Sequence, residues 1–408
     1  MSRIEFHKQA HYFLALAIAF CLPFAQLTPI FIASMLVNWI VEGDFKNKFI
    51  AISKNKLALI FMLFYGMHLL GMIYTQNTNS GWFDLQVKLS LLIFPLVLAS
   101  SPLTKENART VFFALILGGL VSSLILLGRA TYHYLYLNNN CFFYSAFSFM
   151  LHPSYLSLYL CVAIAWMLVG ISQKSFTNKW FSNGIAIILI VFFSIINVLL
   201  SSKMGLITTI LILLGFLIYY IVRHKKYTLG FSGIALIAIL MYSVFNYVPA
   251  VRDRINNAIT SLTTPSANQT DSESTAVRLL IWKAANQVIS ENFYLGTGTG
   301  DLKDKLMNEY QKRGMTGAIE HKLNTHNQYY QVLVSLGWIG FTVFLLSLLT
   351  PLVVAFRTSN SIYAIFLLII ILNFIPESMF ETQAGVMFYA FFNSLLCFSN
   401  NNSSINNS

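Results

Sequence analysis

The sequence predicts an all-α polytopic membrane protein of about 12 transmembrane helices, with one helical cap outside the membrane. Two observations carry that class. Of 408 residues, 56% are hydrophobic and only 10% are charged, whereas a soluble globular chain carries roughly 25% charged residues. The apolar residues also come in unbroken runs, not in the alternation of an outer-membrane barrel. A span needs about 20 mostly apolar residues, so twelve use roughly 240 and leave room for one sizeable extramembrane piece.

The runs fall at 11–24, 27–41, 57–73, 89–100, 111–128, 154–171, 183–200, 204–222, 228–247, 329–350, 361–376 and 384–398. Arg3 and Lys8 precede the first. That resembles a secretory signal, but no small-residue cleavage site follows and the run passes Pro23 into a second one. An uncleaved first span is expected. The four cysteines, Cys21, Cys141, Cys161 and Cys397, form no CxxC pair. Neither a disulfide framework nor a metal site is expected from them. No internal repeat is visible.

The net charge of +11 comes from 26 Lys+Arg against 15 Asp+Glu. In a membrane protein such an excess reports topology before it reports a nucleic-acid partner, and none is expected. With a cytoplasmic N-terminus and every run spanning, the short inner segments hold 14 basic residues and the short outer ones three: Lys88, Arg129 and Lys203. That asymmetry follows the positive-inside rule and places both termini in the cytoplasm. Residues 1–247 then carry spans one to nine, 248–328 form the outer cap, 329–398 carry spans ten to twelve, and 399–408 (NNNSSINNS after Ser399) form a disordered cytoplasmic tail. The cap segment holds eight of the fifteen acidic residues and the amphipathic stretch RLLIWKAANQVI from Arg278 to Ile289. Its polar stretch 263–275 is expected to be mobile.

The candidate chemistry lies on this outer side. Lys88 begins the fourth span, Arg129 ends the fifth, and Lys203 occupies the tight turn SSKMG. Snorkelling to headgroups explains single residues of this kind. Lys203 lies between two apolar walls, where an ionisable group is costly and points to function. Gly296, Gly298 and Gly300 lack the βαβ context of a dinucleotide fingerprint. They predict a tight turn that brings backbone N–H groups close to something. In THNQYYQVLVSLGWIG (325–340), His326 stands where the cap meets the tenth span, with Asn327, Tyr329 and Tyr330 following. It is either an imidazole bonded at the interface or a general base, which near its unperturbed pKa of about 6.5 accepts a proton from a sugar hydroxyl. His152 is a second outer histidine, and Pro153 after it suits the first turn of a helix. Glu377 and Glu381, between the last two spans, are candidates to pair with the basic residues or to position an acceptor.

RLLIWKAANQVISENFYLGTGTGD together with THNQYYQVLVSLGWIG resembles the O-antigen ligase and polymerase family of bacterial envelopes. The shared order is Arg278, Trp282, the turn Gly296 to Gly300, His326, Asn327, then Gly337 and Gly340. Segments 84–100, 152–160 and 376–388 are also similar to family segments. The family has an arginine after span seven where this chain has Lys203. Lysine keeps the positive charge and loses the bidentate phosphate geometry.

The resemblance implies a GT-C-like membrane glycosyltransferase of the bacterial inner membrane with a periplasmic active site. It would move O-antigen polysaccharide from undecaprenyl diphosphate to a lipid A-core hydroxyl. Its partners would be the undecaprenyl-diphosphate-linked glycan donor, the lipid A-core acceptor and membrane lipids. The implied site has His326 as base, Arg278, Lys203, Arg129 and Lys88 at the diphosphate, and His152, Asn327, Tyr330, Glu377 and Glu381 as acceptor or positioning residues. Fixed cations would stand in for a divalent metal, so no cofactor is expected. Two alternatives stay open: a polymerase of the same family, and a transporter or flippase of an anionic lipid-linked sugar. Charged residues are nearly absent from mid-span positions, where transporters place coupling sites.

Overall fold

The computed structural model describes residues 2–178, 181–263 and 275–399. Of the polar stretch 263–275 expected to be mobile, residues 264–274 lie outside the described residues, as does the tail from 400 onward. Among the described residues the regular structure is helical apart from a two-stranded antiparallel pairing, in which Thr177 pairs with Ser182 and Asn178 with Phe181.

Each of the twelve apolar runs falls mainly on a helix. Eight helices are long and apolar enough to cross a membrane: Lys56–Tyr74, Thr78–Ser100, Lys105–Tyr136, Pro153–Ser172, Asn183–Leu200, Lys203–His224, Gly230–Tyr247 and Gln328–Arg357. Three shorter apolar helices, Thr28–Glu42, Ser361–Asn373 and Gln383–Phe398, carry the second, eleventh and twelfth runs. The first run closes the helix Arg3–Cys21, whose opening turns carry Arg3, Glu5 and Lys8. The short run at 89–100 gains length from the more polar helix Thr78–Lys88 in front of it.

The helices form two compact units. One contains Met1–Ala15, Pro29–Thr110 and Asn257–Ser408, and the other contains Leu16–Thr28 and Val111–Asn256. In the first, Gln328–Arg357 packs along Lys56–Gly71, and Gln383–Phe398 packs on Ser90–Ser100. The segment between the helices Gly230–Tyr247 and Gln328–Arg357 contains the helix Thr275–Glu291. Val277, Ile281, Ala284, Ala285 and Val288 recur at helical spacing on one face. They close over Leu302, Leu306 and Tyr310 of the helix Leu302–Lys312, with Met315, Ala318 and Val334 completing the cluster. Leu306 and Ile281 are fully buried, and each such side chain contributes roughly 1.5–3 kcal/mol. In the second unit, Pro153–Ser172 is buried along most of its length against Asn183–Leu200 and Lys203–His224.

Candidate functional site

Two breaks in regular structure build the site in the first unit. Gly337 interrupts the helix Gln328–Arg357 with φ +60° and ψ −165°, a backbone state that favours glycine. The interruption leaves carbonyls without helical partners, and the Gly-rich turn supplies donors. Thr297 N–H donates to the Val334 carbonyl at 2.8 Å and Gly298 N–H to that of Ser335 at 3.0 Å. On the other side, Trp338 N–H donates to the Phe293 carbonyl at 3.0 Å and Ile339 N–H to that of Tyr294 at 3.2 Å. Gly296 sits so close that a Cβ there would lie 2.5 Å from Gly337 N. The tight turn therefore brings its amides to the tenth-span backbone itself.

The second break is His326, at φ +45°, a left-handed conformation uncommon outside glycine, though histidine is among the residues enriched in it. Its N–H donates to Asn324 Oδ1 at 2.9 Å. Both chain neighbours are pinned. Trp282 Nε1 donates to the Thr325 carbonyl at 2.9 Å, and Thr325 Oγ1 donates to Gln331 Oε1 at 2.7 Å. Asn327 N–H donates to Ser378 Oγ at 3.0 Å, and its side chain caps the helix by accepting from Tyr329 and Tyr330 N–H at 2.9 and 3.1 Å. Gln328 ties the same corner to the 374–380 segment: its N–H donates to the Phe374 carbonyl, and its Oε1 accepts from Phe380 N–H. Thr325, Asn327 and Gln328 are buried, while His326 is half-buried.

Around this corner the first unit gathers five of the ten expected residues. Tyr330 stacks on Trp282, with ring planes 8° apart. Arg278 lies one helical turn before Trp282, and its Nη2 is 3.9 Å from Glu377 Oε1. Glu377 in turn precedes Ser378, which holds Asn327. Arg278, Glu377, His326, Asn327 and Tyr330 thus converge through three short links.

Lys88 and Glu381 belong to a neighbouring buried cluster. The Lys88 ammonium donates to Asp84 and, at 3.1 Å, to Glu381. His68 Nδ1 lies 3.6 Å from Asp84 Oδ2. The positive charge expected at Lys88 is matched there by two carboxylates. Asp84, Lys88 and Glu381 border a cavity of about 290 Å³, which Gln331 also lines.

Lys203, Arg129 and His152 lie in the second unit. Lys203 is the first residue of its helix and is half-buried. Ser201 turns the chain at φ +48°, and Ser202 caps the helix by accepting from Gly205 N–H. A Cβ at Gly205 would overlap the Ser157 hydroxyl. Ser157, Asn197 and Thr209 continue that contact as a buried hydrogen-bond chain, at 2.8 and 2.9 Å. Arg129 donates to the Ala146 carbonyl at 2.8 Å and lies 4.5 Å over the Phe149 ring. His152 caps the helix Pro153–Ser172, accepting from Ser154 N–H at 3.4 Å.

Sequence reading missed Thr325, Gln331 and Ser378, which hold the histidine corner, and Asp84, whose spacing of four from Lys88 on a helix is a pairing signal. It also missed Arg254, whose guanidinium stacks 3.6 Å above Tyr144. In the helix Leu302–Lys312, burial alone would raise the Glu309 carboxyl. The hydrogen bonds and charges of Arg313 and Lys312 instead bring it below its ordinary value. Burial pushes the Tyr310 hydroxyl up. Among the described residues, no three His, Cys, Asp or Glu side chains are grouped to hold a metal ion.

The helices and their hydropathy define a multi-pass, all-helical membrane protein. Residues 188–345 match the model of the O-antigen ligase family. The match contains Lys203, Arg278, the Gly-rich turn, His326 and Gly337. No curated protein matches the chain.

Proposed function

We propose that the chain transfers O-antigen polysaccharide from undecaprenyl diphosphate to a lipid A-core hydroxyl at the periplasmic face of the inner membrane. The reaction is a one-step, inverting displacement that needs no divalent metal. The imidazole of His326 takes the proton of the acceptor hydroxyl as that oxygen bonds to the sugar's C1. The bond from C1 to the diphosphate oxygen breaks, and its electron pair leaves on the diphosphate. Arg278 meets the developing charge. For Lys203 and Arg129, a role at the diphosphate is what the family resemblance implies, and it rests on that ground alone. Lys88 is left out, because Asp84 and Glu381 already neutralise it.

The observation that carries the reading is the strained, half-buried His326, held between two pinned neighbours, one of them bonded to Trp282 on the helix that also carries Arg278. Backbone strain of this kind clusters at functional sites. The test is glycan transfer in proteoliposomes containing EDTA. His326→Ala is expected to lose about 10²- to 10⁴-fold in rate, the usual cost of a general base. Full activity in a folded His326→Ala protein overturns the base, and activity restored only by Mg²⁺ overturns the fixed-cation mechanism. The lipopolysaccharide ladder of a deletion strain tests the acceptor: carrier-linked polymer with bare core is the ligase result, and core bearing a single repeat is the polymerase result.

A further inference from the structure

The cavity beside the histidine corner has its own chemistry. Its lining includes Asn79, Ser80, Asp84, Lys88, Gln331 and Glu381. At about 290 Å³ it lies at the lower end of the roughly 300–1,000 Å³ of small-molecule sites, room for one ring. The charges on its wall balance. Lys88 is matched by Asp84 and Glu381, and Lys303 is the remaining charged lining residue. A diphosphate entering this space would meet two carboxylates already in place, and so would an acidic sugar.

Gln331 supplies the second, independent observation. The residue is 2% exposed. Its Oε1 accepts from both Thr325 N–H and Thr325 Oγ1. The backbone N–H can only donate, so the amide orientation is fixed with oxygen towards Thr325. The other end, Nε2, is buried and has no hydrogen-bond partner among the described residues. An unpaired buried amide donor costs about 1–3 kcal/mol, which a ligand hydroxyl would recover. Phe83 also lines the cavity and remains 61% exposed, an apolar face for the C–H side of a ring.

We infer that this cavity is a subsite for one uncharged sugar ring, with Gln331 Nε2 donating to a ring hydroxyl and the Asp84 and Glu381 carboxylates accepting from others. The inference deepens the glycan-transfer reading and rests on it only for the ring's place within a polymer or core.

Saturation-transfer NMR on the full chain in nanodiscs tests it without requiring transfer. The probes are methyl glycosides of glucose, galactose, mannose, rhamnose and N-acetylglucosamine, with glucuronate and inorganic pyrophosphate as charged controls. Two variants are used, each checked for folding by thermal unfolding. Ser80→Trp fills the cavity. Gln331→Glu keeps the acceptor for Thr325 and removes the donor. At least one neutral glycoside is expected to bind and to weaken by about tenfold or more in both variants, the loss of one well-made hydrogen bond or more. The controls should not respond to either variant. The subsite is overturned if no neutral glycoside shows variant-sensitive binding, or if a charged control does. Loss of transfer in His326→Ala with sugar binding intact, or the reverse, separates this inference from the reaction proposed above.

Discussion

The indole of Trp282 lies face to face with the phenol ring of Tyr330, centroids 5.7 Å apart. At the same time its Nε1 holds the carbonyl of Thr325, the residue before His326. One side chain of the helix Thr275–Glu291 thereby fixes both the start of the tenth span and the backbone that presents the imidazole. Trp282→Phe keeps an aromatic ring and removes the hydrogen bond, leaving a fully buried residue with one acceptor unpaired. That costs about 1–3 kcal/mol. Trp282→Leu also loses a stack that contributes about 0.5–1.5 kcal/mol. Both are expected to lower kcat by at least about tenfold, leucine more than phenylalanine. The KM for the lipid-linked donor should change little, because Trp282 acts through the histidine. A rise in KM at constant kcat would instead make Trp282 a substrate contact.

Gly337 couples the Gly-rich turn to the tenth span. A Cβ there would overlap the Tyr294 carbonyl oxygen, and the backbone at φ +60°, ψ −165°, a region essentially confined to glycine, adds roughly 1–3 kcal/mol for any L side chain. Gly337→Ala is expected to separate residues 293–298 from the span and to expose the turn to protease. The readout is limited proteolysis of the purified protein, with new cleavage between Glu291 and Asp301. A cleavage pattern like that of the parent protein would show that the turn holds without the close approach.

Most of the helical frame was legible because a membrane leaves few options: runs such as 154–171 and 204–222 satisfy their backbone only as helices. The run at 89–100 was harder. Its helix is extended by the polar stretch Thr78–Lys88, which hydropathy alone does not join to it. His326 and Arg278 were visible from local pattern. The partner of Lys88 was not, since Glu381 lies 293 residues further along the chain. The Gly-rich turn was readable as a turn, but its partner Gly337 is set by packing, not by spacing. Gln331 carried no signal, because its interest lies in a hydrogen bond that it does not make.

Lys203 opens its helix from a rigid corner. Ser202 caps that helix, and Gly205 seats it against Ser157. Neither device uses the lysine side chain, so substitution there leaves the turn in place. Lys203→Ala is expected to cost about 10²- to 10³-fold in kcat, the range seen when one preorganised donor is removed from a developing anion. Lys203→Arg should be tolerated, since the charge is retained and guanidinium suits phosphate. The rates are measured with the lipid-linked donor in proteoliposomes. An active Lys203→Ala protein would remove this residue from the diphosphate.

Glu309 makes the helix Leu302–Lys312 sensitive to acid. Its carboxylate accepts from Arg313 Nε at 2.7 Å and lies 3.3 Å from Lys312 Nζ. These partners hold its folded pKa below the ordinary value against the opposing effect of burial. A depressed folded pKa gives stability that is fully present above the unfolded value, about 4.3 for glutamate. That stability is lost as the pH falls from there through the folded value. Thermal unfolding of the purified protein at neutral pH and near pH 3.5 isolates the effect by comparing the parent with Glu309→Gln. At neutral pH the variant should melt lower, because the ion pairs are gone. On acidification the parent should lose more than the variant and the two should approach each other. Parallel loss in both proteins would place the acid sensitivity at other carboxylates and leave Glu309 with no role in it.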